Sequence, residues 1–347
     1  MRRHITAALA AATLLTLPLL GACGTDEEPA SPGGSGSSSP AGDTGDTGGE
    51  AVAIAFFGFA KANSFANATF SGIEEYAAEN NATVEFFDGA FDSAAQVQQI
   101  QDATTSGRFQ VYIIQANDGA AVIPAVEAAI AAGITVVAEF TPIGTAYDTA
   151  EPQVEGVYSI VDVPADNGRI LADMGLGACE ELGADPCKVA YLQGNASLPL
   201  DNTRTEAAVA ALEAGGVTVV DNFQGGYTQD EGRAAVQDLL QAHPDVNVII
   251  GSSQAIAGAE SLVDTSKVKL IGNGGSRPAV EAVQSGRWYG TYYADEVRDG
   301  YEAAKIGVEA ARGGSPANAT NIIDLDFNLG GGGTKDTLEG VTGSYDE

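Results

Sequence analysis

The sequence has few of the residues that metal centres and nucleophilic enzymes need. It contains three cysteines and two histidines in 347 residues. A structural zinc site takes four such ligands, and past residue 23 only Cys179, Cys187 and His243 remain, so no metal site is predicted. A Ser-His-Asp triad would have to use His243. That residue stands in AHPDV at the end of a predicted helix, where a capping or surface role is the favoured interpretation.

The glycine motifs that bind phosphates or hold a catalytic serine are also missing. The sequence has no G-x-x-x-x-G-K-[ST] loop, and no G-x-G-x-x-G joins its first strand to its first helix. It also lacks the G-x-S-x-G turn of serine hydrolases. The four glycines at 330–333 do not lead into Lys-Ser/Thr and a helix, and they indicate a loop. We therefore expect a protein that is not an enzyme and holds no cofactor.

Basic residues are scarce. The chain has 16 Lys and Arg against 47 Asp and Glu, a formal charge of −31. A protein that binds nucleic acid neutralises phosphates with a basic surface, so nucleic acid is excluded as an expected partner. The acidic balance otherwise indicates solubility and says little about function.

The first 50 residues read as a targeting segment and a tether. An apolar run over 5–20 follows two arginines and ends in LGAC, which matches the bacterial lipobox. Residues 1–22 are thus predicted to be a signal peptide, with acylation (diacylglycerol and palmitate) of Cys23 anchoring the chain to the outer face of the cell membrane. Residues 23–50 are rich in Gly, Ser and Pro and predict a flexible linker. An ordinary secretory signal with an incidental Cys is the alternative.

Two cysteines remain in the exported part. Cys179 and Cys187 flank the segment between a predicted helix and a predicted strand. Because disulfides form and persist outside the cytoplasm, a disulfide between them is favoured over two free thiols.

Residues 51–347 alternate short apolar strands with helical patterns. The run VAIAFFGF at 52–59 is continuously apolar, which is typical of a parallel strand buried on both faces. The stretch 84–118 resembles 217–253 in its order of strand, polar loop, Gln-bearing helix and strand. This repetition predicts an α/β fold of two similar doubly wound parallel-sheet lobes joined by a multi-strand hinge. In such sheets ligands bind beyond the carboxyl ends of the strands.

The late elements define how the chain returns between the lobes. A strand is predicted at 287–295, a helix at 299–314 and a last strand at 321–329. We expect residues 51–160 with 291–320 to form the N-terminal lobe, and 161–290 with 321–347 to form the C-terminal lobe.

Three motifs in this region resemble a known family. They are the turn KANSFANATFSGIEEYA, the segment AHPDVNVIIGSSQAIAGA and the strand GRWYGTYYAD. On these motifs the chain, over 51 to about 330, resembles the ribose/galactose-type (type I) periplasmic solute-binding proteins of ABC importers. The resemblance implies a monomer that closes two lobes around a small polar solute and delivers it to a membrane permease.

The resemblance also implies a set of solute-binding side chains. Amides, an arginine fork of donors and aromatic walls are expected to surround the solute. The implied residues are Asn63, Phe65, Gln115, Phe140, Arg204, Tyr227, Ser253, Gln254, Asn273 and Tyr293.

Three positions depart from the sugar receptors of the family. Phe140 and Gly274 stand where those receptors commonly hold Asp, and Ala294 stands where they hold an amide. A carbohydrate, or a less hydroxylated or partly aromatic solute, is therefore expected. Two other roles stay open from the sequence: a receptor that feeds a membrane sensor or chemotaxis system, and an exported enzyme on a related sheet.

Overall fold

A computed structural model describes residues 50–220 and 223–347. The predicted signal segment, the lipidation of Cys23 and nearly all of the linker lie outside the described residues. Among the described residues, no helix is long and apolar enough to span a membrane.

The first lobe is built on a parallel sheet of six strands in the described part of the chain. In chain order they are β1 (Val52–Gly58), β2 (Ala82–Asp88), β3 (Val111–Ile114), β4 (Thr135–Phe140), β5 (Val157–Val161) and β12 (Ala319–Asn321). Across the sheet their order is β12-β5-β4-β3-β1-β2.

The second lobe repeats this plan with a sheet of seven strands among the described residues. They are β6 (Lys188–Gln193), β7 (Thr218–Val219), β8 (Phe223–Gln224), β9 (Val248–Ile250), β10 (Lys269–Asn273), β11 (Gly290–Tyr292) and β13 (Gly332–Thr334). The order is β13-β11-β10-β9-β6-β7, with β8 also paired to β6, and only the β11–β13 pair is antiparallel in the described residues.

Helices cover both faces of each sheet. They are α1 (Ser64–Glu79), α2 (Ser93–Ser106), α3 (Ile123–Ala131), α4 (Pro164–Leu182), α5 (Pro199–Ala214), α6 (Gln229–Ala242), α7 (Ser253–Ala259), α8 (Arg277–Gln284) and α9 (Glu296–Ala311).

Alternate side chains of β1 show why the strand is apolar throughout. Ile54 and Phe56 pack into a core with α1 and α9, whereas Ala55 and Phe57 pack into a core with α2 and α3. Successive side chains point to opposite faces of a strand, so both faces of the sheet are buried. The predicted fold class of two doubly wound lobes is confirmed.

The chain crosses between the lobes three times in the described residues. It passes from β5 to α4 around Asp162, from β11 to α9 over 293–295, and from β12 to β13 over 322–331. Because Gly290–Tyr292 belongs to the second sheet, we propose that the second crossing begins at 293 and not at 291. Strands β5 and β12 likewise place Val161 and Asn321 in the first lobe, and the other lobe bounds are proposed as the sequence predicts them.

The strand predicted at 321–329 is wrong. Only its first residue belongs to a strand, and 322–324 and 326–331 form 3₁₀ turns. Asn328 explains the turn, because its Nδ2 donates to Ile322 O at 2.8 Å and to Asp299 Oδ1 at 2.9 Å. The inward-facing Asn328 side chain thus bonds both the crossing segment and α9, and these bonds take the place of strand pairing here.

The apolar pattern predicts helices over 69–81 and 204–216, and the structure begins them five residues earlier, at Ser64 and Pro199. Asn63 caps α1 through its Oδ1, which accepts from Ala66 N at 2.9 Å, and Pro199 occupies the first turn of α5. Both are known start signals for helices. In the same lobe as α5, Cys179 and Cys187 are joined by a disulfide.

Candidate functional site

A cavity lies between the lobes at the carboxyl ends of the strands. Its volume is about 40 Å³, below the ~300–1,000 Å³ of small-molecule sites, so a solute needs more room than the lobes leave between them in this structure. The lining residues are Phe59, Asn63, Phe65, Phe91, Phe140, Leu198, Leu200, Arg204, Tyr227, Gln254, Asn273 and Tyr345.

Seven of the ten residues implied by the resemblance lie on this cavity. They are Asn63, Phe65, Phe140, Arg204, Tyr227, Gln254 and Asn273. Asn63 follows β1, Arg204 lies on α5 after β6, and Asn273 ends β10. Since strand ends of parallel sheets meet at one edge, the two lobes bring these separate segments face to face.

The first lobe contributes an aromatic wall. The rings of Phe65 and Phe140 meet edge to face with centroids 4.5 Å apart, and Phe59 meets Phe140 edge to face at 6.3 Å. Phe140 has φ 59° and Phe91 has φ 55°. Bulky residues seldom adopt this left-handed region, and such strain is found mostly where function holds a side chain in place.

A ring pair and a hydrogen bond join the lobes across the cavity in the described part of the chain. Phe91 of the first lobe stacks on Tyr227 of the second, with centroids 5.9 Å apart and planes 8° apart. Gln254 Nε2 donates to Ser64 Oγ at 3.2 Å. In this structure the two lobes are therefore in contact through both an aromatic pair and a polar pair.

A buried charge cluster supports the wall of the second lobe. Arg204 is 5% exposed; its Nη1 lies 3.1 Å from Asp201 Oδ1 and its Nη2 lies 3.3 Å from Asp162 Oδ2. Tyr227 donates its hydroxyl to Asp201 Oδ1 at 2.6 Å, which leaves its ring on the cavity. Arg204 Nε is buried and donates to no residue in the described part of the chain.

Burial and neighbouring charges act against each other in this cluster. Desolvation raises the pKa of Asp162 and of Asp201 above the usual range, and Arg204 works to lower both. Burial works to lower the pKa of Arg204, but Tyr227 and the two carboxylates hold it above its ordinary value. Arg204 is therefore the charge that favours the ionised form of both buried carboxyl groups.

Asp162 links this cluster to the hinge. Its Oδ1 accepts from the Tyr292 hydroxyl at 2.6 Å and its Oδ2 accepts from Asn167 Nδ2 at 3.0 Å. Asp162 lies on the first crossing and Tyr292 ends the strand before the second crossing. One carboxylate thus joins two crossings to the cavity wall.

Further carboxyl groups are buried next to the second crossing. Burial raises the pKa of Glu139 to about 8, with a hydrogen bond to Gln115 opposing it. Burial also raises the pKa of Glu296 and of Asp299 well above the usual range. No group of three or more His, Cys, Asp or Glu able to hold a metal ion occurs among the described residues.

Three of the implied residues do not line the cavity. Gln115 is fully buried beneath it, where its Oε1 accepts from Phe59 N at 3.3 Å and its Nε2 donates to Thr69 Oγ1 at 3.0 Å. Ser253 opens α7 and is buried behind Gln254. Tyr293 packs in the core of the second lobe, because adjacent side chains at the strand end point opposite ways.

Sequence reasoning missed five lining residues. Phe59 and Phe91 follow β1 and β2, so the rule that ligands bind at strand ends could have found them. Leu198 and Leu200 flank the proline that starts α5. Tyr345 gives no sequence signal, because it reaches the cavity from a segment far along the chain.

Known proteins resemble this chain over most of its described part. A family model described as the periplasmic binding protein domain matches residues 54–315. The D-ribose/D-allose-binding protein of Pseudomonas aeruginosa is 25% identical over 186 residues, which cover 52% of this chain and 56% of the relative. The ribose import binding protein RbsB of Escherichia coli is 26% identical over 207 residues, covering 58% and 64%. The chain thus spans under two thirds of the length of these relatives.

Solved structures resemble the fold over a larger share. An ABC transporter solute-binding protein from Mycobacterium smegmatis with bound glycerol is 25% identical, covers 86% of this chain and 99% of its own, and has a TM-score of 0.70. A Caulobacter myo-inositol binding protein bound to myo-inositol is 18% identical, with 80% and 94% covered and a TM-score of 0.69. With the domain match covering more than half of its residues, the chain belongs to the periplasmic binding protein family.

Proposed function

We propose that this chain is an extracytoplasmic receptor that captures a sugar or polyol between its two lobes and delivers it to an ABC-importer permease. The observation that carries the proposal is the cavity itself, which combines amide and guanidinium groups with aromatic walls. Hydroxyl groups pair with the former, while the C–H faces of a carbohydrate pack on the latter. Named relatives of the chain bind or import ribose and allose, and its structural neighbours hold glycerol or myo-inositol.

The hinge supports a protein that opens and closes. Three crossings join the lobes in the described residues, and the contacts across the cavity include one stacked ring pair and one amide–hydroxyl hydrogen bond. A few such contacts are each worth about 0.5–1.5 kcal/mol, so a bound solute can decide between open and closed forms.

Calorimetric titration with D-ribose, D-allose, myo-inositol and glycerol tests the proposed function. We expect the wild type to bind at least one of them with 1:1 stoichiometry. Asn273→Ala, on the cavity, should weaken that binding at least tenfold, since truncating one hydrogen-bonding side chain in a closed site leaves solute groups unpaired. Asn318→Ala, an exposed control away from the cavity, should bind as the wild type does. No heat of binding from any of the four solutes contradicts the proposal.

We further propose that the receptor is held on the membrane through acylated Cys23, on the strength of the LGAC motif. Cys23→Ser should move the protein from the membrane fraction to the soluble fraction when cells are fractionated. A variant that remains in the membrane fraction would remove Cys23 as the anchor.

A further inference from the structure

The last residues of the sequence reach the cavity from outside the repeated strand–helix units of the second lobe. Tyr345 is 6% exposed and lines the cavity with Asn273 and Gln254. It is separated from every strand of the second sheet by a long loop that begins after β13. Tyr345 therefore adds to the cavity wall a side chain that comes from none of the strands or helices of the doubly wound fold.

The segment 343–347 is attached to the start of α8. Arg277 N donates to Tyr345 O at 2.7 Å, and the Arg277 guanidinium meets the Asp346 carboxylate with two bonds of 2.7 and 2.6 Å. Ser276 Oγ donates to Glu347 Oε1 at 2.7 Å. Main-chain and side-chain bonds at Tyr345 and at the two residues after it thus fix its position.

Gly343 allows this attachment. A Cβ at Gly343 would lie 2.4 Å from Arg277 N and 2.4 Å from Ser276 C. These are backbone atoms that cannot move aside as a flexible side chain would. Only glycine lets the segment approach α8 this closely.

The Tyr345 hydroxyl occupies the space beside Gly274. A Cβ built on Gly274 would lie 3.0 Å from Tyr345 Oη and 2.6 Å from Ser253 Oγ, and Gly274 has φ 143°. A side chain at 274 is thus excluded by both space and backbone. The polar group presented at this point of the wall comes from position 345.

The hydroxyl is available to a solute. Tyr345 Oη is buried and meets no described residue with full hydrogen-bond geometry; the Ser253 hydroxyl is the polar side chain beside it. A buried hydroxyl without a partner is costly, and in a cavity wall it is suited to a polar group of the ligand. A phenol both donates and accepts, which matches a sugar or polyol hydroxyl.

We propose that Tyr345, held by the 343–347 segment, is a specificity-determining residue that hydrogen-bonds a hydroxyl of the solute from the wall left open by Gly274. This inference rests on the proposed function, because the solute class comes from there. It assigns a binding role to a segment beyond the domain match at 54–315.

The test compares Tyr345→Phe with Tyr289→Phe, which removes a hydroxyl in the same lobe away from the cavity. Each protein is titrated with D-ribose, D-allose, myo-inositol and glycerol. Tyr345→Phe keeps the ring and should weaken binding at least fivefold and change the order of preference among the four solutes. Its melting temperature without solute should not fall, since no hydrogen bond of full geometry to a described residue is lost. Tyr289→Phe should leave affinity and preference unchanged.

A second variant tests the attachment. Gly343→Val should displace the segment, raise hydrogen–deuterium exchange at 343–347 and weaken binding at least as much as Tyr345→Phe. If the wild type binds and Tyr345→Phe changes the affinity for each of the four solutes by less than twofold, this inference alone is overturned. A wild type that binds none of them overturns the proposed function and this inference together. Rapid exchange at 343–347 in the wild type also overturns the inference.

Discussion

Replacing Arg204 with Ala should destabilise the protein much more than an ordinary ion-pair substitution. The side chain lies between Asp162 and Asp201, and both carboxylates are 1% exposed. Removing the partner of buried charges costs about 3–5 kcal/mol, because the remaining charges are left without compensation. For a protein of this size the melting temperature should fall by about 6–20 °C.

Arg108→Ala is the matched control. Arg108 pairs with Glu85 at 3.0 Å, but both side chains are about half exposed, at 57% and 49%. Exposed pairs contribute about 0–1 kcal/mol. Urea unfolding followed by circular dichroism should therefore separate the two variants by several-fold in lost free energy. Equal losses would refute the argument that Arg204 compensates a buried cluster.

The pH dependence of the Arg204→Ala loss provides a second check. Burial raises the pKa of Asp162 and of Asp201 in the folded protein, and Arg204 opposes this. Without Arg204 both pKa values should rise further above their unfolded values. The free energy of unfolding of the variant then falls as pH rises through the raised pKa values of the two carboxyl groups. The deficit of the variant should accordingly be larger at pH 8 than at pH 5, and a deficit that shrinks with rising pH would contradict the reasoning.

Three further predictions concern the hinge and the cavity mouth. Burial raises the pKa of Glu139 from 4.5 to about 8, so the stability that the protonated carboxyl group contributes is present below pH 4.5 and lost as pH rises through about 8. In urea unfolding, Glu139→Gln should therefore lose less stability than the wild type between pH 5 and 8. Equal losses of unfolding free energy in the two proteins over this range would contradict the prediction. Phe91→Ala removes the ring stacked on Tyr227 and should weaken solute binding about 2- to 10-fold in calorimetry, whereas unchanged affinity would show that the stack plays no part in closure. Tyr292→Phe deletes the 2.6 Å bond to Asp162 and should cost about 1–3 kcal/mol in unfolding free energy, with a loss under ~0.5 kcal/mol contradicting the hinge role.

The fold was readable from the sequence because its signals are local. The continuous apolar strand at 52–59, the Gln-bearing helix at 93–106 and their repetition further along the chain all depend on neighbouring residues. Asn63 and Pro199 show the limit, since each starts a helix earlier than the apolar pattern indicates. The crossing at 322–331 was misread, because Ile, Leu and Phe at alternating positions predict a strand there. Asn328 sets the turn through contacts that only the folded chain provides.

The cavity was predictable where it follows strand ends and less so elsewhere. Asn63 and Asn273 lie at or just after strand ends and Arg204 lies on the helix that follows β6, so position along the chain located them. Tyr293 was predicted to face the cavity, but side chains alternate between the two faces at the strand end, and Tyr293 points into the core. Tyr345 lies on a segment whose place depends on long-range contacts with Arg277, and no local pattern reports such contacts.

Hydrogen–deuterium exchange with and without a bound solute tests the central claim most directly, because it shows which backbone segments a solute orders. The account predicts that whichever of D-ribose, D-allose, myo-inositol or glycerol binds will slow exchange in both lobes together. Protection should appear around Asn63 and Phe140 in the first lobe and around Arg204 and Asn273 in the second. Protection confined to one lobe, or located away from these strand ends, would contradict a solute held between the two lobes.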